Sequence, residues 1–101
     1  MAHAGCLTDE ECAGNLLFVA DREAARGNTR SALAALQRAH DKLPASDEIL
    51  ERVAVLAAKV EQHADSLRAY QALLARHPAD PRWRAAIDAE KDALLRGSIH
   101  M

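Results

Sequence analysis

Apolar residues recur at spacings of three and four along nearly the whole chain, the signature of helices with one buried face. Thr8-Asp9-Glu10-Glu11 has the form of a capping box, with Thr8 at the N-cap and Glu11 reaching back. Leu7 and Cys12 stand where a hydrophobic staple would close it, and the acids suit the positive end of a helix dipole. Leu16, Val19, Ala20 and Glu23 follow at helical spacing, with Leu17 and Phe18 beside them. A first helix is therefore predicted from about residue 9 to Arg26. It tolerates Gly14 at about 1 kcal/mol and is stopped by a left-handed Gly27.

A second helix is predicted from near Thr29 to the residue before Pro44, with Ala32, Leu33, Leu36, Ala39 and Leu43 as its apolar stripe. Ser46 caps a third, with Asp47 and Glu48 in its first turn and Leu50, Val53, Ala54, Leu56, Ala57 and Val60 after them. Its end is poorly marked, because Glu61-Gln62-His63 lacks the glycine that closes the first helix. A turn near His63-Ala64-Asp65 leads into a fourth helix that buries Leu67, Tyr70, Leu73 and Leu74 and stops at Pro78. Asp80-Pro81 pairs an N-cap with a proline suited to the first helical position. A fifth helix runs from there to about Leu95, with Trp83, Ile87 and Leu94 as its apolar edge and Gly97 beyond its end. No stretch alternates with the period of a strand, so the fold class is all-α.

The first two predicted helices recur as the next two at an offset of 34 residues. Leu16, Val19 and Ala20 return as Leu50, Val53 and Ala54, and Ala32, Leu36, Ala39 and Pro44 as Ser66, Tyr70, Leu73 and Pro78. Ile87 is a further echo of Val53. Small Ala20 and Ala32 let their helices approach to an axis separation of about 8 Å, and Leu36 and Tyr70 fill the remaining space.

This period and pattern resemble the tetratricopeptide repeat (TPR), over about residues 13–95. The resemblance implies a right-handed superhelix of antiparallel helix pairs, with two TPR-like repeats plus a C-terminal capping helix, five helices in all. The first repeat would span residues 8–46, the second 47–80 and the capping helix 81–96. Several positions depart from the family pattern. Ala20 and Ala54 replace a usual glycine, Glu23 and Ala57 a usual tyrosine, and Leu73 a usual alanine. The fifth helix keeps only Ile87, with Trp83 one place out of register.

Composition narrows the function. The 101 residues fit one small domain, half of them apolar but only 3% aromatic. A net charge of −2 is unlike the basic stripe of a phosphate-backbone binder, so no nucleic acid is expected. No apolar run approaches the roughly 20 residues of a membrane span, and no secretory leader is seen before the domain. Residues 1–7 and 97–101 include Met1-Ala2-His3 and Gly97-Ser98-Ile99-His100-Met101, which read as additions foreign to the domain. Cys6 and Cys12 either join in a local disulfide or remain two reduced thiols, the plainer reading. Ala4-Gly5-Cys6 looks like a lipoprotein cleavage site without the hydrophobic stretch before it. That keeps an envelope-associated location beside the cytoplasmic default. The Ala/Arg/Leu-rich composition suggests a bacterial source.

His40, His63 and His77 form no metal-ligand spacing, and no phosphate loop or nucleophile elbow is present. Neither enzymatic chemistry nor a cofactor or metal is expected. The TPR resemblance implies instead a concave groove lined by the first helix of each pair. It would present Leu17, Asp21 and Ala24, then Glu48, Glu51, Val55, Ala58 and Lys59, then Arg82, Ala85 and Ala89. The Lys/Asn set that clamps a C-terminal carboxylate in chaperone-binding members is missing. The expectation is a non-catalytic adaptor or scaffold holding a peptide or helix of a partner protein. The alternative is a segment of a longer solenoid or a self-associating unit, a homo-oligomer.

Overall fold

The computed structural model describes residues 6–99, and the readings of Met1–Gly5, His100 and Met101 lie outside it. Five helices follow one another: α1 (Asp9–Ala25), α2 (Thr29–Lys42), α3 (Asp47–Lys59), α4 (His63–Arg76) and α5 (Pro81–Ile99). Among the described residues there is no strand. Each helix packs chiefly on its neighbours in sequence, α1 on α2, α2 on α3, α3 on α4 and α4 on α5. The radius of gyration of 14.8 Å exceeds the roughly 13 Å of a compact chain this long, as serial packing requires.

The 34-residue period holds at the level of backbone hydrogen bonds. α2 and α4 begin and end one period apart, as do the ends of α1 and α3 and the starts of α3 and α5. After α1, the Asn28 N–H donates to the Glu23 carbonyl at 2.8 Å and the Gly27 N–H to Ala24 at 3.0 Å. After α3, Gln62 donates to Ala57 at 2.8 Å and Glu61 to Ala58 at 3.1 Å. Both are Schellman closures, which need a left-handed residue just past the helix. Gly27 supplies it with φ 82°, and Glu61 with φ 63°. The turn predicted near His63-Ala64-Asp65 therefore lies earlier, and His63 already begins α4.

The caps hold as the sequence suggests. The Glu11 N–H donates to Thr8 Oγ1 at 3.1 Å and the Ile49 N–H to Ser46 Oγ at 3.3 Å. The Arg82 N–H donates to Asp80 Oδ1 at 3.0 Å, with Pro81 at the first helical position. Glu11 reaches past Thr8 to the N–H of Leu7 at 2.9 Å. The expected staple does not close, since Leu7 is 84% exposed. Cys12 is joined to Cys6 in a disulfide instead, with Cα atoms 5.0 Å apart, the local pairing that the sequence allowed beside two reduced thiols. α5 also continues through Gly97 to Ile99 rather than ending near Leu95. No proline follows to break it, and a helical glycine costs only about 1 kcal/mol.

The core is two clusters in series that meet on α3. Ile49, Val53 and Ala57 pack with Ala13, Ala20, Leu33, Leu36 and Ala39, while Leu50 and Ala54 pack with Ala69, Leu73 and Trp83. Leu16 leans on the first cluster and Tyr70 on the second, and Ala32 and Ile87 are buried. Val19 is a correction to the expected packing set, being 43% exposed. Its equivalent Val53 is covered by the preceding hairpin, whereas no described element lies on that side of α1. Ser66, one period after Ala32, is fully buried, and its hydroxyl donates to the Ala54 carbonyl at 2.8 Å. This polar bond ties α4 to α3 where the first hairpin has only small-residue contact.

Candidate functional site

A cleft of about 250 Å³ opens between α1 and α3. Ala20 and Ala24 line it from α1, Glu51, Arg52, Val55 and Leu56 from α3, and Leu36 from α2 forms its floor. Small residues on α1 create the space, because a large side chain at Ala20 or Ala24 would fill it. Val55 is 40% exposed, a large apolar side chain left open to water. Arg52 donates to Asp21 in a charge-assisted bond from α3 to α1.

The structure brings together only part of the expected groove. Ala24, Glu51 and Val55 line the cleft, and Asp21 joins it through Arg52. Leu17 is half-buried against the first core cluster rather than presented as lining. Glu48 lies exposed one turn before Glu51 and Arg52. Lys59 belongs to a separate polar cleft with Gly27, Asn28, Arg30 and Glu61. Arg82 is turned to Asp80, donating from Nε to both carboxylate oxygens at 3.1 Å and from Nη2 at 2.8 Å, with its guanidinium 4.6 Å from the centre of the Trp83 ring. Arg82 holds the Asp80 carboxyl below the usual range, and Asp80 pushes the guanidinium of Arg82 up. Ala85 and Ala89 are exposed on α5, and Ala58 is half-buried.

Arg52 is the residue the sequence reading missed, although it lies four after Glu48 and three before Val55 on the same face. Among the described residues, neither Glu48 nor Glu51 has a hydrogen-bonded or ion-paired side-chain partner, whereas Arg52 of the lining is paired with Asp21 and Arg82 beyond it with Asp80. The carboxylate of Glu51 acts on both neighbours across the face. It contributes to raising Arg82, and, after burial and Glu90, to raising the Tyr70 hydroxyl.

Two further polar groups brace the fold. Arg76 donates to the Pro44 carbonyl at 2.7 Å and to Asp47 Oδ1 at 2.6 Å, while His77 Nε2 lies 2.5 Å from Asp47 Oδ2. The end of α4 thereby clamps the α2–α3 turn, and donation from Arg76, then His77, holds the Asp47 carboxyl below its usual range. His63 Nδ1 lies 2.8 Å from Oε1 of the buried Glu90, tying α4 to α5. Among the described residues no three His, Cys, Asp or Glu side chains converge as metal ligands, and no helix is long and apolar enough to cross a membrane. The chain matches no protein-family model, no curated protein and no solved structure.

Proposed function

We infer that the chain is a non-catalytic interaction module, a TPR-like superhelical unit whose α1, α3 and α5 face holds a segment of a partner protein. The observation that carries this reading is the α1–α3 cleft, an apolar space bounded by exposed Val55 and by Glu51, which has no ion-pair partner among the described residues. Apolar surface left open beside polar rims marks binding surfaces rather than solvated faces. The serial packing and the 34-residue recurrence of caps support the repeat architecture, since each hairpin meets its neighbour alone. The test is cross-linking capture from the source cell with wild type beside a variant in which the charges of Glu48, Glu51 and Lys59 are reversed. Loss of a specific cross-linked band, with helicity unchanged, is expected; equal capture removes the groove from the reading.

A second reading, self-association, is favoured by a different face. Phe18 is 62% exposed beside exposed Val19 on the outer side of α1. Light scattering over a range of concentrations separates the two, because a concentration-independent monomer excludes pairing through that face.

A further inference from the structure

We propose that the segment received by the α1–α3 cleft is a cationic amphipathic helix, with one bulky aliphatic side chain seated between Ala24 and Val55 and a Lys or Arg one turn away facing Glu51 and Glu48. This rests on the groove reading above and specifies the chemistry of its ligand.

The first argument is charge complementarity. The cation that lines the cleft, Arg52, is already engaged by Asp21, and Arg82 beyond it by both oxygens of Asp80, while Lys59, one turn past Val55, belongs to the separate polar cleft. Glu51 lines the cleft and Glu48 stands one turn before it, both without partners among the described residues. An incoming carboxylate would meet Glu51 in the lining and Glu48 beside it with no cation of the lining free to pair, whereas an incoming ammonium or guanidinium would face both carboxylates. The second argument is the backbone. The lining is Ala20, Ala24, Leu36, Val55 and Leu56 apart from Glu51 and the engaged Arg52, so it offers almost no groups to pair with an extended main chain. An extended peptide would leave N–H and C=O groups unsatisfied there, while a helix satisfies its own. The third is volume. About 250 Å³ takes a leucine, isoleucine or methionine side chain, and small Ala20 and Ala24 let the incoming helix approach α1 closely.

The test uses a labelled peptide of about 18 residues, long enough to reach useful helicity. It carries leucines at helical spacing on one face with lysines beside them. A counterpart replaces every lysine by glutamate, and fluorescence anisotropy follows both at low ionic strength. The lysine peptide should bind and the glutamate peptide should not. Glu51→Gln should weaken binding about three- to tenfold and flatten its salt dependence. Ala24→Arg, at an exposed position, should abolish binding while the helical signal and melting temperature stay unchanged. If the glutamate peptide binds as well as the lysine peptide, or Glu51→Gln has no effect, the cation preference is wrong while the cleft stands. If binding survives Ala24→Arg, the cleft itself is wrong and the groove reading falls with it. If neither peptide binds, an amphipathic helix is not the ligand.

Discussion

Replacing Glu61 by glycine should stabilise the protein, although it deletes a charged side chain and adds nothing to the core. Glu61 holds φ at 63°, in the left-handed region where the Cβ of an L residue crowds the next carbonyl. That conformation costs about 1–2 kcal/mol. The side chain is exposed and accepts no hydrogen bond among the described residues, so little is lost with it. Glycine removes the strain but loosens the unfolded chain by about 0.5–1 kcal/mol, leaving a net gain of about 0.5–1 kcal/mol. For a domain of this size that corresponds to a rise of about 2–8 °C in melting temperature. Gly27→Ala is the mirror experiment. A Cβ at Gly27 meets no atom within 4 Å, so any loss there comes from φ 82° alone and should be of similar size with opposite sign. Thermal melts followed by helical circular dichroism compare the two variants with wild type. If Glu61→Gly melts at or below wild type while Gly27→Ala is destabilised, position 61 does not carry the strain that the shared turn implies.

Ala39 is fully buried, and Ala39→Leu should overpack the α1–α2 contact by about 1–3 kcal/mol, seen as a lower denaturant midpoint; an unchanged midpoint would sink the packing argument. Ser66→Ala should cost about 0.5–1.5 kcal/mol through the lost bond to Ala54, seen as a lower denaturant midpoint. Because Asp47 has a lowered folded pKa, its contribution is complete above the ordinary carboxylate range and is lost as pH falls below about 4. Asp47→Asn should therefore reduce the drop in melting temperature between about pH 6 and about pH 3, and an undiminished drop would place the acid sensitivity elsewhere. The Cys6–Cys12 loop has a sequence separation of 6, so reduction should cost at most about 2 kcal/mol and loosen only the first turn of α1. Thiol titration of the unreduced protein should find no free Cys6 or Cys12.

Helix number, helix faces and the period were legible because they rest on local rules. Capping oxygens at Thr8, Ser46 and Asp80 declare their helices within three residues, and the alanines at 20, 32, 39 and 54 declare close approach. The turn after α3 was obscured because a glutamate, Glu61, takes the left-handed conformation that glycine announces at Gly27. Val19 shows the same limit from the other side: its spacing marks it as core, but burial needs a neighbouring element that only the assembled fold supplies. The candidate cleft was half legible. Ala24, Glu51 and Val55 follow from their helix faces, but the pairing that occupies Arg52 spans 31 residues and that of Arg76 with the α2–α3 turn spans 29 to 32. Contacts at such separation leave no periodic trace.

The two-sided packing of α3 bears on how the protein comes apart. Ile49, Val53 and Ala57 close one cluster while Leu50 and Ala54 close the other, so neither hairpin completes its core unless α3 is wound. Fraying of α1 or α5 opens one cluster and leaves the second intact, but unwinding of α3 opens both together. Amide exchange should accordingly be slowest in the middle of α3 and faster toward both termini. All-or-none melting of this chain depends on that single helix, and a helix-breaking change at its centre would uncouple the two halves rather than weaken one.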